Sequence, residues 1–294
     1  MSALHHIASG IDLGGTKIAL RHFGRDLALV GGETIATPKD YRGLVDALAY
    51  LGSLAGDLPL GVSAAGQLHP ATEVTLTANL CATGKPIKRD LTCALGRPVT
   101  WLNDAQAFAL SEARCGAGRG ATSITGLVIG TGLGAAHVVG GHPLARSTGL
   151  GGEVGHAALP ADIVGKYGLP VLDCSCGRRG CIETYVSGAG LSRLDRAMTG
   201  GARAAEMISA ERGPVWGVFC ALLAEVLWSV QVSVDPEVFV IGGGVSRAPE
   251  LLADVEKSRR SLPGFDLPLL RLAEGGAESG ARGAALAALE ADGA

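Results

Sequence analysis

Two stretches of this chain share one design. Residues 8 to 24 read ASGIDLGGTKIALRHFG, and residues 124 to 141 read ITGLVIGTGLGAAHVVGG. In each, an apolar run enters a glycine-rich turn and a second apolar run leaves it. That is the pattern of a β-hairpin, not the strand–loop–helix of a Rossmann or Walker phosphate site. Neither G-x-G-x-x-G nor G-x-x-x-x-G-K-[ST] occurs at either place. A hairpin in each half predicts duplicated α/β domains facing one another across a cleft.

The other elements fit that plan. Residues 42 to 55 put Leu44, Val45, Leu48 and Leu51 on one helical face. PLGVSAAG and RPVTWLND read as short buried strands with functional ends. NDAQAFALSEARCGAG reads as a helix capped by Asn103 and stopped near Gly116. DPEVFVIGGG reads as a strand ending in a glycine turn, and ESGARGAALAALE as a closing helix. The small, polar run between residues 116 and 123 marks a domain boundary. Residues 1–118 then form a smaller N-terminal α/β lobe, onto which a C-terminal helix at about 280–294 packs back. Residues 119–280 form a larger C-terminal α/β lobe.

Composition narrows the function. The chain has 294 residues, 47% hydrophobic and 18% charged, with a formal net charge of −3. A slightly acidic chain is not built to coat nucleic acid or an anionic membrane. Phosphate must be held locally, by backbone N–H groups or a metal. The start, MSALHHIASGIDLGG, has no basic and apolar leader pattern. VWGVFCALLAEVLWSVQVSV, residues 215 to 234, is long enough to span a membrane. Glu225 in its middle and Gln231 near its end make it a buried helix instead. A cytoplasmic protein is expected, where clustered cysteines serve metals more often than disulfides.

The first turn is DLGGTK, Asp12 to Lys17. Glycines there let the backbone approach a ligand closely, and successive N–H groups cradle phosphate. Asp12 is placed to hold Mg²⁺ through water, and Thr16 adds a hydroxyl. An ordinary tight turn accounts for the same residues taken alone. GTGLG, Gly130 to Gly134, repeats the arrangement with Thr131. GGG, Gly242 to Gly244, ends a third apolar strand with no side chain to obstruct a base and ribose. Together the three turns describe a nucleotide clamp.

WLND ends a strand at a helix start. Asn103 suits an N-cap, and Asp104 complements the helix dipole. Asp104 also suits a proton acceptor for a substrate hydroxyl. A helix N-terminus favours the carboxylate, which predicts a weak base. Phosphoryl transfer tolerates one, because the base mainly orients the hydroxyl. Both uses of Asp104 stand at this point.

GLGGEVGH carries Glu153 and His156 in a glycine-rich loop, poor material for a core. Downstream, CSCGRRGCIE presents Cys174, Cys176 and Cys181. With His156 they make a Cys₃His set, the donor list of a closed tetrahedral zinc site. Gly177 and Gly180 suit a knuckle that brings the sulfurs together. Three buried thiols without a metal are the alternative. With four protein ligands the zinc is structural. Cys81, Cys93, Cys115 and Cys220 are scattered and read as small core or surface residues.

These segments, in this order, resemble the ROK family (repressor, open reading frame, kinase). The residues that carry it are Asp12-Leu-Gly-Gly-Thr-Lys17, Asn103-Asp104, Gly130-Thr-Gly-Leu-Gly134, Glu153-Val-Gly-His156, Cys174-x-Cys176-x4-Cys181-x-Glu183 and Gly242-Gly-Gly244. The resemblance covers essentially the whole chain and is most specific from Glu153 to Glu183. It implies the actin-like, ribonuclease H-like ATPase fold, α/β in class, with two lobes around a central cleft. For the family's kinases it implies transfer of a phosphoryl group from ATP and Mg²⁺ to a hexose. Asp104 then resembles the catalytic base at the sugar 6-hydroxyl. Asn103, Glu153, His156 and Glu183 match positions that bond the ring hydroxyls, with Gly66 and Asn79 beside them. ATP and its phosphates fall to Asp12, Gly14, Gly15, Thr16, Lys17, Gly130, Thr131, Gly132, Gly134 and Gly243. His156 would give one nitrogen to zinc and the other to the sugar, so the knuckle would fix His156 and Glu183 in place. A homodimer is frequent in the family.

Within the family, TPKDYRGLVDAL, ATGKPIKRDL and YGLPVLDCSCGRRGCIETYVSG are similar to the bacterial kinases of N-acetyl-D-glucosamine. Bacterial fructokinases share several of these stretches, so fructose, glucose, mannose and N-acetylmannosamine are the alternative substrates. Two departures stand out. Ala65 replaces the proline of the usual G-x-P-G, and Ala135 and Ala136 replace common glycines. The run Ser63-Ala64-Ala65-Gly66 is expected to leave room for an acetamido group. Two other classes compete. A repressor of the family carries a helix-turn-helix before the first hairpin, and Asp12 lies too near the start for one. A non-catalytic sugar-binding regulator would not need Asp104.

Overall fold

Both glycine turns close antiparallel hairpins. Ala8–Leu13 pairs with Lys17–Phe23, and Ser123–Ile129 pairs with Leu133–Val139. The computed structural model describes residues 6–264 and 266–293. They divide into two compact units. The first holds the residues up to Arg119, Gly141–Gly151 and those from Glu274 onward; the second holds Gly120–Gly140 and Gly152–Ala273.

The first unit carries a five-stranded sheet in the order Leu29–Ala36, Lys17–Phe23, Ala8–Leu13, Leu60–Ala64, Thr100–Asn103. The hairpin strands are antiparallel, and the last two strands join parallel to Ala8–Leu13. Parallel neighbours align the C-terminal ends of three strands. Asp12, Ser63, Ala64 and Asn103 therefore reach one edge together, with Asp12 opposite Ser63 and Ala64 opposite Asn103. Helix Tyr41–Ser53 starts at Asp40, whose carboxylate accepts from the Gly43 N–H at 2.8 Å. It buries Leu44, Leu48 and Leu51 against Ile11, Leu20 and Val62. Removing such side chains from water is the main drive for this packing.

The other face of this sheet is unusually close to its cover. Helix Ser279–Asp292 lies over Ala8–Leu13 and Leu60–Ala64. The strand residues under it are Gly10 and Gly61, and a Cβ at either would strike the main chain at Ala281 or Ala284. Gly283 does the same service against Ala107 of helix Asp104–Cys115. Backbone thus packs on backbone, and the helix seats both the strand that carries Asp12 and the helix that starts at Asp104.

The second unit repeats the plan. Four of its strands run in the order Leu133–Val139, Ser123–Ile129, Val238–Gly242, Leu269–Leu272, with an antiparallel hairpin followed by parallel neighbours. Helix Pro214–Val234 is long and apolar enough to cross a membrane by length and composition, and half of its most apolar stretch is buried within the unit. Trp216, Phe219, Leu223 and Leu227 form a core with Leu127, Phe239 and Ile241. Glu225 is half-buried, and burial pushes its carboxyl up.

Candidate active site and metal centre

The first hairpin turn is pinned from outside. The Gly14 N–H donates to the Lys17 carbonyl at 3.1 Å. Thr37 Oγ1 donates to the Gly14 carbonyl at 2.7 Å, and Lys39 Nζ to that of Gly15 at 3.1 Å. Gly15 is tight against Asn79: an added Cβ would lie 2.9 Å from the Asn79 carbonyl oxygen. Asn79 thus lies at the phosphate-type turn. Thr16 and Lys17 are exposed at its tip.

Asp12 stands just before that turn and is partly buried. Burial pushes its carboxyl up, the Ser63 hydroxyl pulls it down, and the Asp104 charge pushes it up again. Ser63 Oγ donates to Asp12 Oδ1 at 3.3 Å. Gly280, in the first turn of helix Ser279–Asp292, comes so near that a Cβ would lie 2.8 Å from the same oxygen. The run Ser63 to Gly66 is correspondingly closed at its start. Ser63 and Ala64 are buried, and only Ala65 and Gly66 reach the surface. Room for a substrate group is therefore confined to Ala65 and Gly66.

Asn103 serves two purposes at once. Its Oδ1 accepts from the Ala105 N–H at 3.0 Å and caps helix Asp104–Cys115, with Gln106 completing a capping box. Its Nδ2 donates to the Gly66 carbonyl at 2.8 Å. Gly66 has φ +104°, and a Cβ there would lie 2.5 Å from the Leu76 carbonyl oxygen, so glycine is required. The N-cap and the sugar-type loop are one construction.

Asp104 Oδ1 accepts from the Ala105 N–H at 2.9 Å. Asp104 is exposed, with protein packed to one side of its carboxyl. That packing desolvates the charge and raises its proton affinity. The Ala105 N–H and the Arg146 charge oppose the shift without cancelling it. The expected weak base is thus corrected: desolvation outweighs the helix N-terminus, and Asp104 holds a proton more strongly than an ordinary aspartate.

In the second unit the turn after Ser123–Ile129 closes with the Gly130 N–H on the Gly132 carbonyl at 3.0 Å. The Gly130 carbonyl accepts from the Gly188 N–H at 2.8 Å. Gly188 begins the helix Gly188–Thr199, whose N-cap Ser187 accepts from the Gly190 N–H at 2.9 Å. A cavity of about 760 Å³ opens here, lined by Gly130, Thr131, Gly188, Ser192, Glu206 and Arg247 among others. A hairpin turn and a helix N-terminus at one cavity favour an anion. Gly243, at φ +90°, follows strand Val238–Gly242, and a Cβ there would lie 2.5 Å from the Ile129 carbonyl oxygen. Gly134 pairs with Val128 within the hairpin. The Gly188 helix and the Glu206 segment went unnoticed in the sequence, although Ser187-Gly-Ala-Gly after the cysteine cluster is a helix-start signal.

The knuckle assembles as its spacing requires. One ligand atom from each of His156, Cys174, Cys176 and Cys181 lies within 4.8 Å of every other. Cys176 Sγ is 3.6 Å from Cys181 Sγ, and Cys174 Sγ is 3.6 Å from His156 Nδ1. Zinc–sulfur bonds of about 2.3 Å in a tetrahedron put neighbouring sulfurs about 3.8 Å apart, so the donor set fits Zn²⁺. Gly177 and Gly180, at φ +84° and +70°, make the bends between the cysteines.

The same cluster organises two carboxylates. Glu183 Oε1 lies 3.2 Å from Cys174 Sγ and 3.6 Å from His156 Nδ1. Glu153 Oε2 lies 3.9 Å from His156 Nε2. His156 therefore turns Nδ1 to the sulfurs and Nε2 to Glu153. Gly132 faces Glu183: a Cβ on it would lie 2.8 Å from Glu183 Oε2. Glu153, His156, Glu183 and Gly132 are brought together in one unit.

Comparison with known proteins places this arrangement. Residues 8–291 match the ROK family. The chain belongs to the ROK family. It is 37% identical to N-acetyl-D-glucosamine kinase of Pectobacterium atrosepticum, over 94% of this chain and 97% of the relative. It is 34% identical to N-acetylgalactosamine kinase AgaK of Shewanella sp. strain ANA-3, over 94% of this chain and 95% of the relative. The ROK hexokinase of Thermus thermophilus superposes with a TM-score of 0.85 at 33% identity, covering 98% of this chain and 99% of that one. A ROK glucokinase of Streptomyces griseus, in complex with glucose and AMPPNP, superposes with a TM-score of 0.77 at 30% identity, covering 96% of this chain and 99% of that one. The chain is a sugar kinase of this family with the actin-like ATPase fold.

Proposed function

We propose that this chain transfers the γ-phosphoryl group of ATP to the 6-hydroxyl of N-acetyl-D-glucosamine. The observation that carries the reaction is Asp104, a carboxylate of raised proton affinity at a helix start locked by Asn103. A raised carboxyl is a better proton acceptor for the sugar hydroxyl as the oxygen–phosphorus bond forms. The Pectobacterium and Shewanella kinases named above act on N-acetylated hexosamines, which supports the choice of sugar.

The first unit supplies Asp104 as base, with Asn103, Gly66 and Asn79 for the sugar. The second supplies Glu153, His156 and Glu183, whose oxygens and nitrogen suit ring hydroxyls. Gly14, Gly15, Thr16 and Lys17, and Gly130, Thr131, Gly132 and Gly134, serve the phosphates. Asp12 holds Mg²⁺ through water, and the cavity beside Gly188 and Gly243 takes the base and ribose. Zinc on His156, Cys174, Cys176 and Cys181 supplies fixed geometry and no chemistry. The two compact units correspond in this scheme to the lobes of the kinase, which works as a cytoplasmic homodimer.

Release of ADP is the test, with ATP and Mg²⁺ and a panel of N-acetylglucosamine, N-acetylgalactosamine, N-acetylmannosamine, glucose, mannose and fructose. Preference for N-acetylglucosamine is expected. Preference for another hexose overturns the choice of sugar and keeps the reaction. Hexose binding without turnover of any member makes the chain a sugar-binding regulator. Light scattering checks the dimer.

A further inference from the structure

Glu112 lies in the last turn of the helix that Asp104 begins, and it is fully buried. Its carboxylate takes four donors. Oε2 accepts from the Ala117 N–H and the Glu274 N–H, both at 3.0 Å. Oε1 accepts from the Gly275 N–H at 2.8 Å and from Ser279 Oγ at 3.2 Å. Glycines close on it from both sides. A Cβ at Gly116 would strike Oε2, and one at Gly275 would lie 2.7 Å from Oε1. Arg282 passes alongside, donating to Ser111 Oγ and to the Gly275 carbonyl at 3.4 Å each. Closing the end of one helix does not call for a buried charge with four donors.

Three of those donors belong to the segment that starts helix Ser279–Asp292. That segment lies in the same compact unit as Glu112, Asp12 and Asp104. Its second helical residue, Gly280, abuts the Asp12 carboxylate: a Cβ there would lie 2.8 Å from Asp12 Oδ1 and 3.2 Å from Ser63 Oγ. Gly10 and Gly61 then seat the helix main chain at Ala281 and Ala284 directly on the strands. Packing this close leaves no slack, so a shift at Ser279 is passed on to Asp12. Asp104 and Glu112 stand on one helix, about 12 Å apart along its axis. One end of that helix carries the base, and the other holds the piece that abuts the carboxylate for Mg²⁺.

We propose that Glu112 is a positioning residue for phosphoryl transfer, which sets Asp12 for Mg²⁺ by tying Ser279 and Gly280 to the Asp104 helix. This rests on the assignment of Asp12 to Mg²⁺. Glu112 is fully buried, so it touches neither substrate nor metal and moves no proton. A carboxylate is needed because every partner is a donor. Glutamine would turn an amide N–H₂ towards N–H groups and leave a buried donor without its acceptor. On its other side the segment is held by Arg21 Nε, which donates to Glu278 Oε2 at 2.6 Å. Loss of the Glu112 carboxylate therefore displaces the helix start without freeing it.

Calorimetric titration of ADP, with Mg²⁺ and with EDTA, into wild type, Glu112→Gln and Ser279→Ala tests this. Wild type should bind ADP more tightly with Mg²⁺ than without. Glu112→Gln should bind ADP about 3- to 30-fold more weakly with Mg²⁺ and within about twofold of wild type without it, an effect passed through packed neighbours. Ser279→Ala removes a single donor and should lose about two- to threefold, again with Mg²⁺ only. The Mg²⁺ concentration for half-maximal turnover should rise in the same order, with the KM for the sugar unchanged. Equal losses with and without Mg²⁺ overturn the proposal, by making Glu112 a general support of the fold. Unchanged affinity with Mg²⁺ in the folded variants also overturns it. If Glu112→Gln does not fold, Ser279→Ala decides between these results. A wild type with no preference for Mg²⁺ overturns the seat at Asp12 and this proposal with it, whereas the kinase assignment is decided separately by ADP release.

Discussion

Asn103 donates its side-chain amide to the Gly66 carbonyl at 2.8 Å while its side-chain oxygen caps the helix that begins at Asp104. One residue therefore fixes the helix start and the loop beside it. Asn103→Asp separates the two jobs, because aspartate keeps the cap and cannot donate to Gly66. The melting temperature of Asn103→Asp should stay near wild type while the KM for the sugar rises. Asn103→Ala should also lose about 1 kcal/mol of stability. Thermal melts and steady-state kinetics decide it.

Asp104→Asn should lower kcat about a hundred- to ten-thousandfold and leave sugar binding near wild type. The same substitution has a stability consequence of opposite sign. The Asp104 carboxyl lies above its ordinary value of 3.8, so the folded protein binds that proton more tightly than the unfolded chain. Stability then falls as pH rises from the ordinary value through the folded one. Asparagine removes that loss. Asp104→Asn should melt higher than wild type at neutral pH, with the gain shrinking in acid. A lower melting point at neutral pH would contradict the raised carboxyl.

Cys176 is the exposed member of the cysteine cluster, so serine there costs little packing. Any loss in Cys176→Ser reports the metal. Elemental analysis should find zinc in the wild type and far less in the variant. The variant should melt lower, because a structural site contributes folding energy directly, and should bind sugar more weakly through displaced His156 and Glu183. Zinc-free wild type with an unchanged melting point on chelation would refute the assignment.

Gly132→Ala puts a methyl 2.8 Å from Glu183 Oε2. Glu183 must turn away from the knuckle or the hairpin must shift. We expect the KM for the sugar to rise about tenfold, equivalent to about 1.4 kcal/mol, with zinc content unchanged. Loss of zinc alongside would show that Glu183 holds the cluster rather than the reverse.

What the sequence determined by itself is local and periodic. Two glycine hairpins, the Asn103 helix start and the C-x-C-x4-C knuckle depend on neighbours a few residues apart, where turn chemistry, capping and ligand spacing act directly. The apolar helix Pro214–Val234 was legible as a core element through Glu225 and Gln231. Tertiary structure decided the rest, because the deciding partners are far apart in the chain. The upward shift of Asp104 comes from protein brought around it, which a helix-dipole argument cannot anticipate. The burial of Ser63 against Asp12 follows from parallel strand pairing and from Gly280 of the last helix. Gly10 and Gly61 look like ordinary strand glycines until helix Ser279–Asp292 lies directly on them. The cavity at Gly188 likewise exists only once the Gly130 carbonyl meets a helix N-terminus nearly sixty residues on, roughly the reach at which loop closure rather than local propensity governs contact.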